Sequence, residues 1–416
     1  MKKIVALVLA LAMVFSLAAC GSSGSKSSPE KSTQAPKAVS AENIKVGAIM
    51  VGDENEGYSA AHIKALDEMK KALGLKDDQV IVKTNIGEDQ SCYDAAADLA
   101  DQGCNIVFAN SFGHEDYMIQ AAQEYPDVTF CHATGTKAST QNLPNFHNFF
   151  VRVYEARYVS GVVAGMKLNQ MIKDGKITED QAKIGYVGAY PYAEVVSGFT
   201  SFYLGAKSVC PSATMEVKYT NSWASFDLEK ECAEQLIADK CVLISQHADT
   251  TGAPTACEAA GVPCVGYNID MIPTAPDQAL TSASINWGVY YTYAVKQMID
   301  GKSIDTDWAQ GLAEDADKIT TLNDKAVAPG TEEKVAEVEK AIKDGSLHVF
   351  DLSTFTVKGK SLDELVKSGD KDATKLKAYI SDGYFHESEP GDGRISAPAF
   401  DFIIDGITSV VEKKGN

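Results

Sequence analysis

From Ile44 onward the chain alternates short apolar or β-branched runs with stretches of helical periodicity, and nothing else in the sequence constrains the fold as strongly. Ile44–Met50 reads as a strand, after which Ala60, Ile63, Leu66, Met69 and Leu73 fall on one helix face. Val80–Asn85, Asn105–Asn110 and Val128–Ala133 are further strands, with helical patterns over Tyr93–Leu99 and Tyr117–Tyr125 between them. A helix between consecutive strands implies a crossover, hence parallel pairing and helices on both faces of the sheet. Asn145–Val153 adds a strand, and a helix from Tyr154 carries the chain away. A second series follows, with strands at Lys183–Gly188, Met215–Tyr219, Val242–Ser245 and Cys264–Tyr267 and helices at Val195–Ala206, Leu228–Ala238 and Thr255–Ala260. Two such series predict an α/β fold of two doubly wound parallel-sheet lobes around a hinged cleft.

Ala279–Asn286 reads as a strand returning toward the first lobe and Tyr290–Ile299 as a helix belonging to it. Glu333–Lys343 is a helix and Leu347–Phe350 a short strand, with mixed helix and loop over Leu362–Tyr379 and Pro398–Glu412. The expected division is a first lobe of 44–155 with 287–358, a second lobe of 156–286, and a C-terminal extension, 359–416, packed on the body.

The first twenty residues set the compartment. Lys2 and Lys3 precede an apolar run from Ile4 to Phe15, then Leu17-Ala-Ala-Cys20, the arrangement of a secretory signal with a small-residue cleavage site. The run is too short to span a bilayer. Cys20 after Leu-Ala-Ala resembles a bacterial lipobox, in which that cysteine is lipidated and becomes the first mature residue. Residues 21–43, rich in Gly, Ser, Lys and Pro, read as a flexible tether. A lipid-anchored extracytoplasmic body of about 370 residues remains, enough for two domains. A net charge of -19 argues against nucleic acid and anionic lipid as partners. Of the nine cysteines, none lies in a Cys-x-x-Cys pair, so zinc has no support; they read as small buried hydrophobes, with a Cys232–Cys241 pair left open. No metal and no cofactor is expected, and the chain is expected to be a monomer.

Ligands of open α/β sheets bind beyond the carboxyl ends of the strands. The turn Val51–His62 occupies that place after the first strand: Gly52 and Gly57 permit a sharp turn, Ser59 can cap the helix, and Tyr58 presents a ring. The first lobe offers Asn55, Glu56 and Tyr58, then Ser111 and Phe112, then His132, Thr134 and Gly135. The second offers Tyr190 and Tyr192, then Asn221, Trp223 and Asp227, then His247 and Asp249, then Asn268 and Asp270; Trp287 follows the returning strand. Rings from opposite lobes can clamp a flat heterocycle while carboxylates take hydrogen bonds at its rim. His132 and His247 read as semi-buried histidines. No Arg or Lys cluster and no Gly-x-x-x-x-Gly-Lys loop is available for a phosphate. Neither a Gly-x-Ser-x-Gly elbow nor His-Glu-x-x-His occurs, so the chain is not read as an enzyme.

Gly57-Tyr-Ser-Ala-Ala-His62, Tyr125-Pro-Asp-Val-Thr-Phe130, Tyr154-Glu-Ala-Arg-Tyr158 with Gly161-Val-Val-Ala-Gly165, Ile184-Gly-Tyr-Val-Gly188, Asn221-Ser-Trp223, Gln246-His-Ala-Asp249 and Gly266-Tyr-Asn-Ile-Asp270 resemble the Bmp (basic membrane lipoprotein) family of ABC-transporter substrate-binding proteins, most closely its purine branch. The resemblance covers roughly Ile44–Phe350. It implies a type I periplasmic-binding-protein fold that closes on a purine base or nucleoside for a permease and its ATPase. Tyr58 matches the stacking aromatic, Asn55 a polar contact to the base, Trp223 the aromatic of the opposite lobe, and Asp249 and Asp270 acidic positions facing the ligand; Ser111, Phe112, Tyr190 and Trp287 complete the expected set. Asn55 and Thr134 stand where many nucleoside receptors of the family carry Asp, which favours a free base such as adenine. The alternatives are a sugar or autoinducer-like polyol on the same fold, an exported nucleoside hydrolase, and a ligand sensor.

Overall fold

The computed structural model describes residues 37–388 and 395–409; the expected signal sequence, Cys20, the tether as far as residue 36 and the chain after Ser409 lie outside the described residues. In chain order β1 (Val46–Ile49) leads to α1 (Gly57–Leu73), β2 (Val80–Lys83), α2 (Gln90–Asp101), β3 (Ile106–Ala109), α3 (Glu115–Glu124), β4 (Thr129–Ala133), the one-turn α4 (Ala138–Gln141) and β5 (Phe146–Val151). The second series is α5 (Tyr154–Lys173), β6 (Lys183–Gly188), α6 (Ala193–Val209), β7 (Thr214–Tyr219), α7 (Phe226–Ala238), β8 (Leu243–His247), α8 (Gly252–Ala260), β9 (Cys264–Tyr267) and β10 (Ala279–Ile285). Next come α9 (Trp287–Asp300), β11 (Asp307–Gln310), β12 (Asp317–Ile319) and α10 (Thr331–Lys343). The tail holds α11 (Leu362–Lys367), α12 (Lys371–Lys375), β13 (Ile380–Ser381), β14 (Tyr384–Phe385) and β15 (Ile407–Ser409).

The strands form one sheet in the order β2-β1-β3-β4-β5-β11 and another in the order β15-β7-β6-β8-β9-β10-β12. Every pair in the first sheet is parallel. In the second only β12, on β10, is antiparallel. β1, β3, β4 and β5 are buried at every position, which is why their sequences read as continuous apolar runs with no alternation. Strand order reverses between β1 and β3 and again between β6 and β8, and each reversal opens a crevice at the carboxyl edge of its sheet. The two-sheet α/β fold expected from the alternation is therefore the observed one.

Glycines let α5 and α6 approach closely under the second sheet. A Cβ on Gly161 would lie 2.0 Å from the Phe202 carbonyl oxygen, and one on Gly205 2.0 Å from that of Tyr158, so any larger residue would force the helices apart.

The assignment of the later segments differs from expectation from β12 onward. β10 belongs to the second sheet, whereas α9 packs on α1 and β11 pairs with β5 in the first. β12 then returns to the second sheet, and Val335, Val338 and Phe350 join the second lobe's core, so 317–358 sits there and not on the first lobe. Residues 347–350 are irregular backbone leading into a turn, not a strand; Phe350 enters that core, stacked on Phe400 with centroids 4.5 Å apart. The extension builds on the same lobe and ends in β15, an added edge strand with Ile407 opposite Met215.

Buried carboxyls tie together the segments that pass between the lobes. Glu155 Oε2 accepts from the Leu312 amide at 2.7 Å, and Asp317 Oδ2 from the Ala156 amide at 2.7 Å. The Asn286 amide donates to the Ala316 carbonyl at 2.9 Å.

Candidate functional site

Loops from the carboxyl ends of both sheets enclose a cavity of about 300 Å³. This is the small end of the range for small-molecule sites, roughly 300–1,000 Å³. The first lobe supplies Val51, Gly52, Glu56 and Tyr58 after β1, Glu88 after β2, Asn110, Ser111 and Phe112 after β3, and Thr134 after β4. The second supplies Tyr190 and Glu194 after β6, Ser222, Trp223 and Ala224 after β7, His247 and Asp249 at the end of β8, and Tyr267 closing β9.

The first-lobe wall is held by its own hydrogen bonds. Glu56, not Ser59, caps α1: its carboxylate accepts from the amides of Tyr58 and Ser59, and Ser59 Oγ accepts from the Gly52 amide at 3.0 Å. Tyr58 Oη donates to the Asn110 carbonyl at 2.6 Å, Asn110 Oδ1 accepts from Val51, and Asn110 Nδ2 donates to Ser59 Oγ. Behind Tyr58, His62 stacks on Trp287 with centroids 4.0 Å apart, and Trp287 meets the Tyr58 ring edge-on at 5.8 Å. Ser111 Oγ donates to Glu88 Oε1 at 2.6 Å.

The second-lobe wall combines rings and carboxyls. Tyr190 lies edge-on to Trp223 at 5.3 Å and stacks with Tyr192 at 5.1 Å, and Tyr192 in turn stacks on Phe112 of the first lobe at 5.5 Å. His247 Nε2 lies 3.3 Å from Glu194 Oε1, and Asn268 Nδ2 donates to Asp249 Oδ1 at 2.8 Å. Beneath them Arg157 is fully buried, its guanidinium 3.7 Å over the Tyr267 ring and its Nη1 donating to the Gln246 carbonyl at 2.7 Å.

Burial sets the electrostatics. It raises Glu194 to about 7 against the lowering influence of Arg157. Asp249 is pushed well above the usual carboxyl range by burial and then by Glu56, Glu229 and Glu194. Burial also raises Glu56, and burial followed by Arg157 holds His247 well below the usual imidazole value, so it stays neutral. Among the described residues no Lys or Arg lines the cavity, so none of them would neutralise a phosphate there. Among the described residues no cluster of three His, Cys, Asp or Glu could hold a metal ion.

The lobes touch across this space. The Gly57 amide at the start of α1 donates to the Asp249 carbonyl at 3.1 Å, and a Cβ on Gly57 would stand 2.9 Å from that oxygen. Gly57 is thus needed for close approach and not for an unusual turn.

Of the residues singled out from sequence, Tyr58, Ser111, Phe112, Tyr190, Trp223 and Asp249 line the cavity, as do Glu56, Thr134 and His247. Asn55, Asp270 and Trp287 do not. Asn55 turns back on its own loop, its Nδ2 donating to Asp53 Oδ1 at 3.0 Å. Asp270 is exposed and accepts from the Ile272 amide. Trp287 is buried one layer behind Tyr58 and supports the wall without facing the cavity. Cys20 lies outside the described residues. Sequence reasoning missed Glu88, Asn110, Glu194, Ser222 and Tyr267. Glu194 had a usable signal, since an acid in the first turn of a helix leaving a strand end faces the same crevice as the loop before it. The eight described cysteines are all buried and free.

Residues 44–348 match the family described as ABC transporter substrate-binding protein PnrA-like, or Bmp. The chain belongs to that family. This PnrA-like chain is 34% identical over 334 residues to a purine-binding protein of Brucella abortus, covering 79% of the chain and 89% of that protein. It is 32% identical over 251 residues to a putative ABC transporter glucose-binding protein of Haloferax volcanii, covering 60% of each. Its fold resembles the crystal structure of an ABC transporter solute-binding protein from Aeropyrum pernix, with a TM-score of 0.61 at 15% identity, covering 79% of this chain and 99% of that one. As a PnrA-like protein it is the extracytoplasmic ligand-binding component of an ABC importer, whose other parts are a permease and an ATPase. Among the described residues no helix is long and apolar enough to cross a membrane. The tail from residue 349 lies beyond the matched span.

Proposed function

We propose that this chain captures a purine base, adenine-like, or a purine nucleoside outside the cytoplasmic membrane, where a lipid on Cys20 would retain it, and passes it to the permease. One observation carries the ligand class: a single cavity has Tyr58 on one lobe and Trp223 with Tyr190 on the other, a rim of carboxyls, and no lysine or arginine. Two aromatic walls suit a flat heterocycle, and carboxylates suit its N–H groups. The name of the Brucella abortus relative supports the same reading. Closure follows from differential contact: a guest touching both walls favours the arrangement in which Gly57 meets Asp249, and the permease reads that arrangement.

A sugar is the second reading, favoured by the name of the Haloferax volcanii relative and by the capacity of Asp249 and Glu194 to accept from hydroxyls. A thermal-shift screen with purines, nucleosides, glucose and amino acids separates the two. A purine at a hundred times its Kd stabilises the folded chain by about 2.7 kcal/mol. A shift with glucose and none with any purine would overturn the purine assignment.

A further inference from the structure

We propose that Glu194 makes the cavity discriminate between ligands by the exocyclic group on the ring, taking an amino group and rejecting an oxo group at the same position. This deepens the purine reading above and rests on it. It follows from asking which polar groups around the cavity remain free for a guest. Both oxygens of Glu56 are held by amides at the start of α1. The Tyr58 and Ser111 hydroxyls and the Asn110 side-chain amide donate to neighbouring protein oxygens, and Thr134 Oγ1 donates to the Ala133 carbonyl. These first-lobe donors are therefore already engaged inside the protein.

The acceptors are different. Glu194 is anchored through Oε1 at His247 and Asp249 through Oδ1 at Asn268, and neither Glu194 Oε2 nor Asp249 Oδ2 has a hydrogen-bond partner among the described residues. Above the pH range to which burial raises it, about 7, Glu194 is ionised, and a carboxylate oxygen only accepts. A ring amino group opposite Glu194 completes it, whereas a ring carbonyl there would set lone pair against lone pair in a buried site. Sites that bond a substrate N–H reject the analogue lacking it far more strongly than sites that sense size.

The surroundings fix the carboxyl in place. His247 from β8 bonds to it, Tyr58 from α1, Asp249 and Tyr267 from β9 line the same cavity, and Arg157 from α5 acts on it electrostatically. Arg157 is the one cation in this set, and it opposes the burial that would otherwise keep Glu194 protonated. An N–H donor from the guest acts in the same direction as Arg157, stabilising the ionised form.

The test is titration calorimetry of the full chain at pH 8, where Glu194 is ionised, with adenine and hypoxanthine, which differ in this exocyclic group and in the proton on the ring nitrogen beside it. Adenine is expected to bind at least about tenfold more tightly. Glu194→Gln, whose amide can donate as well as accept, is expected to bring the two affinities within about threefold, while Glu194→Asp, which keeps the acceptor, preserves the preference with weaker binding of both. If neither base binds the unaltered chain, the purine reading itself fails. If both bind equally, or if the Gln variant keeps the tenfold preference, the role given to Glu194 fails while the purine reading stands. The ratio in the unaltered chain bears on the proposal even if a variant does not fold.

Discussion

On the first-lobe wall of the cavity the Tyr58 and Ser111 hydroxyls, the Asn110 amide and both oxygens of Glu56 are engaged by their own neighbours and only the exposed Glu88 has an oxygen to spare, whereas on the second-lobe wall the half-buried Glu194 and the buried Asp249 each keep an oxygen without a partner among the described residues. The aromatic groups differ in exposure. Tyr58 is buried, bonded through its hydroxyl and backed by His62 and Trp287, while Trp223 is half-buried and Tyr192 and Phe112 are exposed at the mouth. A wall whose polar groups are internally satisfied is rigid and pre-organised, so a guest stacking on it has little left to order. A wall with unspent acceptors can tell one guest from another. On the function proposed above, platform and discriminator are carried by different lobes, and neither works until the lobes meet.

The strongest way to break this contrast is to remove each ring in turn. Tyr58→Ala deletes a buried side chain and its hydrogen bond, and is expected to lower folding stability by about 3 kcal/mol as well as abolish most binding. Trp223→Ala is expected to cost binding about 1–3 kcal/mol, the worth of stacking one base on a ring, with little change in melting temperature. Calorimetry and thermal melting on the same samples check both; equal losses of stability would erase the distinction between the walls.

Gly57→Ala probes the contact between lobes. Its methyl would press on the Asp249 carbonyl, so closure is hindered while each lobe stays intact. Affinity should fall roughly tenfold with the melting temperature of the ligand-free chain unchanged, which corresponds to about 1.4 kcal/mol on the closing equilibrium. Small-angle scattering with and without ligand reads the closure directly.

Acidity sharpens the comparison from the other side. Burial raises Glu194 from its ordinary 4.5 to about 7, so between those values the folded chain binds a proton that the unfolded chain does not. Its contribution to the stability of the ligand-free chain therefore falls as pH rises through that window and is level above it. Glu194→Gln removes this dependence. The variant should melt higher than the parent near pH 8, by roughly 1–2 kcal/mol, and no higher near pH 4.5. Glu155, Glu229 and Glu387, also raised to about 7 by burial, leave a residual slope in both proteins. The smallest effect is expected at the mouth: Phe112→Ala removes one exposed stacking contact with Tyr192 and should weaken binding by about 0.5–1.5 kcal/mol, measured by calorimetry.

The sequence made the framework legible because the parallel strands are buried on both sides, leaving continuous apolar runs between helices of clear periodicity. It did not reveal β11, β12 or β15, which are three or four residues long and carry charged or polar residues, nor that 317–358 returns to the second lobe, since pairing between distant segments leaves no local signal. At the site, the strand-end rule located the loops but not which side chain in each turns inward. Asn55 is captured by Asp53 two residues earlier, and Asp270 by an amide two residues later; these short local bonds compete with any ligand-facing pose. Trp287 begins a helix whose buried face is the core, and a large ring at such a position packs inward. Glu194 and Tyr267 were passed over because they lie just inside a helix and a strand, not in the loops between them.

The pairing of β15 with β7 joins Ile407 to Met215 across nearly half of the chain. Strands so far apart in sequence can meet only after a long stretch of backbone has been supplied, which is a slow event in folding. The second sheet is therefore complete only once the segment carrying Ile407 has arrived, and until then β7 keeps an open edge.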